Sequence, residues 1–281
     1  MAGILTDNQV QQYREQGYLL VERLFDEIEL KLARQAIQEM LCELDPTSEA
    51  EVEPNDPTVF RRIWSPTERH KVFQEMAYNS KILDRVESLI GPNIVFHYSK
   101  INMKAAQVGS VVEWHQDLSY YPHTNTDLLS CLIYLDDATP ENGCLQVIPG
   151  SHKYGILDHY IDGYFRGKLN APSAVLNLSK ATLCEAPAGS TLFLHCLTVH
   201  SSIRNRSNMP RRAFLPAYRA ADAYPIYLGP HANYNESSTK LLRGQHSNAA
   251  RMETGIWQLP IAQSSFNSLY EIQEGSHLNL D

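Results

Sequence analysis

Apolar positions recur at helical spacing through the first third of the chain and give way to short alternating runs after Pro92. Thr6 or Asp7 can cap a helix that passes through Val10 and Tyr13 and stops at Gly17. Residues 18–21 read as a short strand. From about residue 27 to 41, Leu30, Ala33, Ala36, Ile37, Met40 and Leu41 share one face of a second helix. Residues 45–57 are acidic and carry prolines, which predicts a solvated loop. Helical periodicity returns around 73–90 and is closed by Gly91-Pro92.

Beyond Pro92 the spacing predicts strands at 94–104, 130–135, 144–148, 182–184, 191–199 and 212–219. Helices followed by many short strands predict an α+β chain with a mainly β core, a sheet sandwich or barrel. Residues 228–255 are polar and irregular and predict a long covering loop. The expected organisation is a single domain over 1–281. Residues 1–92 form a helical flank, 93–222 the β core, and 223–281 a covering loop and C-terminal segment.

Composition narrows the function classes. The formal net charge is -8 over 281 residues and there is no basic cluster. That argues against nucleic acid or an anionic membrane as the main partner and for a small molecule. No basic run leads into an apolar stretch at the N-terminus, and no window approaches the roughly 20 apolar residues of a membrane span. Five scattered cysteines without a CxxC pair suit small buried side chains in a reducing cytoplasm. Oligomeric state is not legible.

The chemistry concentrates in Glu113-Trp114-His115-Gln116-Asp117-Leu118-Ser119-Tyr120-Tyr121. In an extended segment, side chains two apart point to the same side, so His115 and Asp117 can meet one ion. H-x-D alone recurs by chance and needs a third ligand. His200, at the end of an apolar strand-like run, supplies it. Two histidines and one carboxylate make the facial triad of non-heme iron(II) oxygenases, which leaves the opposite face of the metal to a 2-oxo acid and dioxygen. Arg211, eleven positions after His200, is placed to form a bidentate pair with the distal carboxylate of 2-oxoglutarate. Ser202 can add a hydroxyl.

The chain resembles the phytanoyl-CoA dioxygenase family of iron(II)/2-oxoglutarate oxygenases, which includes ectoine hydroxylases and natural-product oxygenases. The resemblance rests on His115-Gln-Asp-Leu-Ser-Tyr-Tyr-Pro, on the stretch from Asp137 to His152, on His200-Ser-Ser with Arg211, and on the opening Gln11-Gln-Tyr-Arg-Glu-Gln-Gly-Tyr-Leu. It implies a double-stranded β-helix (jelly roll, cupin-like) with flanking N-terminal helices, with Fe(II), 2-oxoglutarate and O2 as cofactor and cosubstrates. It also implies Arg211 as the 2-oxoglutarate anchor. Asn102-Met103-Lys104 matches an Asn-x-Lys of ectoine-hydroxylase-like members, which makes Asn102 a second contact and Lys104 a third.

Tyr120 and Tyr121 follow the H-x-D and are expected to line the substrate cavity. Arg219 and Asp222, past the last strand, are candidates to bind a polar substrate or to pair with each other. His195 is expected to be buried away from the metal, on the strand face opposite His200. The intact carboxylate at Asp117 points to hydroxylation or a related oxidation, since similar iron halogenases lack it. A zinc hydrolase would leave Arg211 without a role, and a non-catalytic jelly roll would have no need of an intact triad. The prime substrate is not legible.

Overall fold

Capping residues set where the N-terminal helices begin. The computed structural model describes residues 5–44, 50–53, 56–227, 240–255, 257–262 and 272–273. Helix α1 (Asp7–Gln16) starts with a capping box in which the Thr6 hydroxyl accepts from the Gln9 N–H and the Gln9 carboxamide accepts from the Thr6 N–H. It stops at Gly17, whose φ of 79° is left-handed. A Cβ there would lie 2.4 Å from His152 Nδ1 and Thr198 Oγ1, so only glycine lets the helix end dock on the β core. Helix α2 (Glu27–Glu43) repeats the box with Asp26 and Glu29 and buries Leu30, Ala33, Ala36, Ile37 and Met40, the predicted face. The periodicity at 73–90 divides, behind a short α3 (Pro66–Arg69), into α4 (Lys71–Ala77) and α5 (Ser80–Ile90). Asn79 makes the division, because its side chain accepts from the Lys81 N–H and starts a new helix.

Strands are numbered in chain order. The larger sheet runs β1 (Tyr18–Val21), β11 (Thr191–His195), β6 (Leu128–Tyr134), β13 (Arg211–Ala220), β4 (Ile94–Lys104), β3 (Asp56–Trp64) and β2 (Ala50–Glu53), with β14 (Leu241–Arg243) also on β4. The smaller runs β10 (Thr182–Leu183), β7 (Leu145–Val147), β12 (His200–Ser202) and β5 (Val112–His115). A hairpin of β8 (Tyr160–Ile161) and β9 (Tyr164–Phe165) stands apart. Pairing within both sheets is antiparallel, and the architecture is a jelly roll.

Strand parity divides the core. Cys131, Ile133, Phe193 and Phe214 join the helices on the outer face of the larger sheet. Leu132, Tyr134, Leu192, Leu194, Ala213 and Leu215 meet Leu145 and Val147 of the smaller sheet. Strand β6 is buried on both faces, which is why its sequence is apolar on both, broken only by Ser130, rather than alternating.

Three sequence expectations change. Within 45–57, β2 and the start of β3 replace the solvated loop, and Glu51 and Glu53 are buried. Their charge reads as solvated in sequence, but Glu51 is paired with Arg61 and Arg62. The run 191–199 is not one strand. It ends at His195, turns with Thr198 N–H donating to His195 O, and crosses to the smaller sheet at His200. The parity argument separating His195 from His200 therefore does not apply, although His195 does sit away from the cluster, packed against Tyr13 and His152. Of the expected covering loop, residues 240–255 carry β14, and 228–239 lie outside the described residues. Four cysteines are buried and Cys42 is exposed. No helix among the described residues is long and apolar enough to cross a membrane.

Candidate metal centre and cosubstrate cavity

His115 ends β5 and lies in register opposite His200, the first residue of β12. The two rings stand 4.1 Å apart between centroids. Gln116 is extended (φ -117°, ψ 131°), so Asp117 points to the same side as His115 before the chain turns into a short 3-10 segment. Asp117 Oδ1 is 3.8 Å from the Nε2 of each histidine. One ligand atom from each of the three residues lies within 4.8 Å of the others, and all three side chains are buried.

Backbone carbonyls fix both imidazoles. His115 Nδ1 donates to Glu113 O at 2.7 Å and His200 Nδ1 donates to Thr198 O at 2.9 Å, which leaves each Nε2 lone pair facing the cluster. Burial holds both histidines below their ordinary pKa, and for His115 the neighbouring His200 adds to it. Burial alone would raise the Asp117 carboxyl, but His200, Lys100 and His115 together hold it lower, and Ser130 Oγ donates to its Oδ2 at 3.1 Å. All three groups are thus held in the deprotonated form that a metal needs. Two neutral imidazoles and one carboxylate suit iron(II).

The cavity beside the cluster is lined from β4 by Tyr98, Lys100, Asn102 and Lys104, alternate residues of one strand face, and by Met103 between the last two. Arg211 of β13 and Ser202 of β12 line it too, as do Tyr120 and Tyr121. Arg211 is buried, its Nε has no partner, and among the described residues it forms no ion pair. A buried guanidinium in that state favours an anionic partner. Lys104, its register neighbour on β4, donates to Ile203 O at 2.8 Å and to Ser110 O. Asn102 Oδ1 accepts from Arg62 Nε at 2.9 Å. The Tyr120 ring stands edge-on to His115 at 5.9 Å, and its hydroxyl donates to Gly167 O.

Arg219 and Asp222 do not line this cavity. Arg219 donates to Ala223 O at 2.6 Å, and Asp222 pairs with Arg251 at 2.9 Å rather than with Arg219.

Sequence reasoning passed over four residues here. Arg62 and Lys100 line the cavity, and cations on strands resemble solvated edge residues. Gln116 is fully buried between two cluster residues. Its Nε2 donates to Gly155 O at 2.9 Å and Leu197 O at 2.7 Å, and its Oε1 accepts from Leu157 N at 2.8 Å. His159, which has no ligand-like spacing in the sequence, is buried and accepts from the Gln116 N–H at 3.1 Å through Nε2 while Nδ1 donates to Leu157 O. The period-two spacing of Tyr98, Lys100, Asn102 and Lys104 was the one available signal for Lys100. None existed for His159.

A jelly roll holding such a cluster beside a buried cationic pocket defines the class of iron(II)/2-oxoglutarate dioxygenases. Residues 13–213 match the family model described as Phytanoyl-CoA dioxygenase (PhyH). The chain is 31% identical over 255 residues to a probable alpha-ketoglutarate-dependent hypophosphite dioxygenase of Stutzerimonas stutzeri, covering 87% of this chain and 88% of that one. It is 28% identical over 245 residues to an ectoine dioxygenase of Bordetella parapertussis, covering 79% and 77%. The crystal structure of EctD from S. alaskensis with bound Fe superposes with a TM-score of 0.71 at 20% identity, covering 88% of this chain and 89% of that one. The chain belongs to the phytanoyl-CoA dioxygenase family, and it is a 2-oxoglutarate-dependent non-heme iron dioxygenase.

Proposed function

We propose that the chain oxidises, by hydroxylation in the simplest case, an unactivated C–H bond of a small polar metabolite. In this reading His115, Asp117 and His200 hold iron(II), and Arg211 with Ser202 holds the distal carboxylate of 2-oxoglutarate. The observation that carries it is the convergence of three buried ligand atoms within 4.8 Å, beside a guanidinium whose Nε is unpartnered. Bound iron and 2-oxoglutarate together supply the oxidising chemistry, with succinate and carbon dioxide as co-products.

The protein's part is geometric and electrostatic. The Glu113 and Thr198 carbonyls keep the two Nε2 lone pairs on the metal. Arg211 offers a fixed fork to a carboxylate, and its burial strengthens that pair. Tyr98, Tyr120 and Tyr121 wall the cavity with rings that exclude water. Asn102 and Lys104 lie on the same wall, although Lys104 spends its protons on two backbone carbonyls. Hypophosphite and ectoine, for which two relatives are named, are small polar molecules, and that supports the same substrate class for this chain.

The test is 2-oxoglutarate turnover with candidate small metabolites. The expected result is iron-dependent succinate formation that rises with substrate and vanishes in Asp117→Ala, whose circular dichroism stays that of the parent. Turnover by zinc without succinate would overturn the reading.

A further inference from the structure

Lys100, like Arg211, is a cation of the cavity that forms no ion pair among the described residues. It projects from β4 between Tyr98 and Asn102, and its ammonium lies 5.6 Å from the Tyr98 ring centroid. Among the described residues it has no hydrogen bond and no ion pair. Asp117, whose charge it feels, is beyond ion-pair distance. Lys100 is half-buried, and desolvation lowers its pKa to about 8.

The neighbouring cations already have work. Arg61 and Arg62 both bind Glu51, at 3.3 and 3.0 Å. Lys104 donates to Ser110 O and Ile203 O. Arg211 stands opposite Lys104 in the register, whereas Leu215 stands opposite Lys100. Four residues of strand separate Lys100 from Lys104, roughly 13 Å of backbone. Lys100 is therefore remote from the Arg211 end of the cavity, on the side of Asp117.

Charge counting gives the same answer. Five cations (Arg61, Arg62, Lys100, Lys104 and Arg211) face three carboxylates (Glu51, Glu53 and Asp117). A divalent metal and a dianionic cosubstrate add charges that cancel each other. The cavity keeps its positive excess, in a chain whose net charge is -8. A cationic substrate would meet repulsion there, and a neutral one would leave a desolvated ammonium unpaired.

We propose that Lys100 is the anion-binding subsite for the prime substrate, and that this substrate carries a small carboxylate or phosphorus oxyanion. The proposal rests on the reading that iron and 2-oxoglutarate fill the cluster and the Arg211 end.

The test is anaerobic calorimetry on the iron-loaded protein saturated with 2-oxoglutarate, at constant ionic strength. Acetate and methylphosphonate are the probes and glycerol the neutral control. Acetate, methylphosphonate or both should bind and glycerol should not; whichever arm binds names the anion. Lys100→Met, which keeps the volume, should weaken the probe by about 10- to 100-fold, the worth of one charge-assisted hydrogen bond. Its affinity for 2-oxoglutarate should stay within about threefold of the parent, well below that loss. Lys100→Arg should restore most of the probe affinity.

An anion that binds the Met variant as well as the parent overturns the proposal, as does a parent that binds neither anion. Loss of 2-oxoglutarate affinity in the Met variant, matching or exceeding the loss for the probe, also overturns it, by assigning Lys100 to the cosubstrate. A parent that binds iron but no 2-oxoglutarate fails at the prior step and sinks the function reading together with this one.

Discussion

Gln116→Ala should destabilise the protein and loosen its metal, although the residue touches no ligand atom. Its carboxamide makes three hydrogen bonds that tie the centre to two covering segments, at Gly155–Leu157 and at Leu197. Truncation leaves two carbonyls and one N–H without their partner, each worth about 1–3 kcal/mol when water cannot replace it. Gly155 and Leu157 are only half-buried, so water can recover part of this. The net loss should be roughly 2–5 kcal/mol.

The second consequence is local. Leu197 lies three residues before His200, and Leu118 N–H donates to Cys196 O at 3.0 Å, so the same corner carries both ends of the cluster. Outer partners of metal ligands typically cost about 10- to 100-fold in metal affinity when removed. Urea denaturation of the metal-free variant reads the first effect, and competition against a chelator reads the second. A stability loss below about 1 kcal/mol together with unchanged metal affinity would refute the reasoning, because a fully buried amide could not then be holding both segments.

Two further outcomes are expected. Arg211→Ala should weaken 2-oxoglutarate by about 100-fold, the worth of a bidentate charge-assisted pair of roughly 3 kcal/mol, while iron affinity stays near the parent's; calorimetry on the anaerobic protein checks this. Acidification should destabilise the fold through His159, whose pKa burial lowers to about 4, against about 6.5 unfolded. The unfolded chain takes up the proton first, so this contribution is complete above pH 6.5 and is lost as pH falls toward 4. At pH 5 the loss should be about 2 kcal/mol, measured as the difference in stability between pH 8 and pH 5, and His159→Gln should flatten that part of the profile.

The residues legible in the sequence were those whose roles are local. His115 and Asp117 declare themselves because period-two geometry converts a two-residue spacing into a shared direction. Arg211 comes to the same cavity as the cluster because β12 and β13 are consecutive, so few residues separate it from His200. Contacts set by the fold left no trace. The bond from Gln116 N–H to His159 spans 43 residues, and nothing in the string around His159 marks it as an acceptor. Glu51 and Glu53 look solvated in the sequence because acidic residues next to prolines usually are. Only β3, folding back on β2, brings Arg61 and Arg62 against Glu51 and makes burial tolerable. The apolar run 191–199 hid its turn for a related reason. The same hydrophobicity serves β11 in one sheet and the crossing into the other, so only the antiparallel partners of each part show where the strand ends.

The charge pattern argues in the same direction. Over the whole chain acids outnumber bases, 32 to 24, yet the cavity wall holds more cations than carboxylates. Averages over a sequence cannot register such sorting, since the cations come from three strands, β3, β4 and β13, that are adjacent only in the sheet. Once they are adjacent, each raises the cost of the next, and burial adds to it. Glu51 relieves Arg61 and Arg62, and two carbonyls relieve Lys104. Among the described residues Arg211 and Lys100 form no ion pair, and they stand four residues apart along the β4–β13 pair. On the reading proposed above, those two costs are met by what enters the cavity: one anion at the Arg211 end, and a second at Lys100 on the Asp117 side.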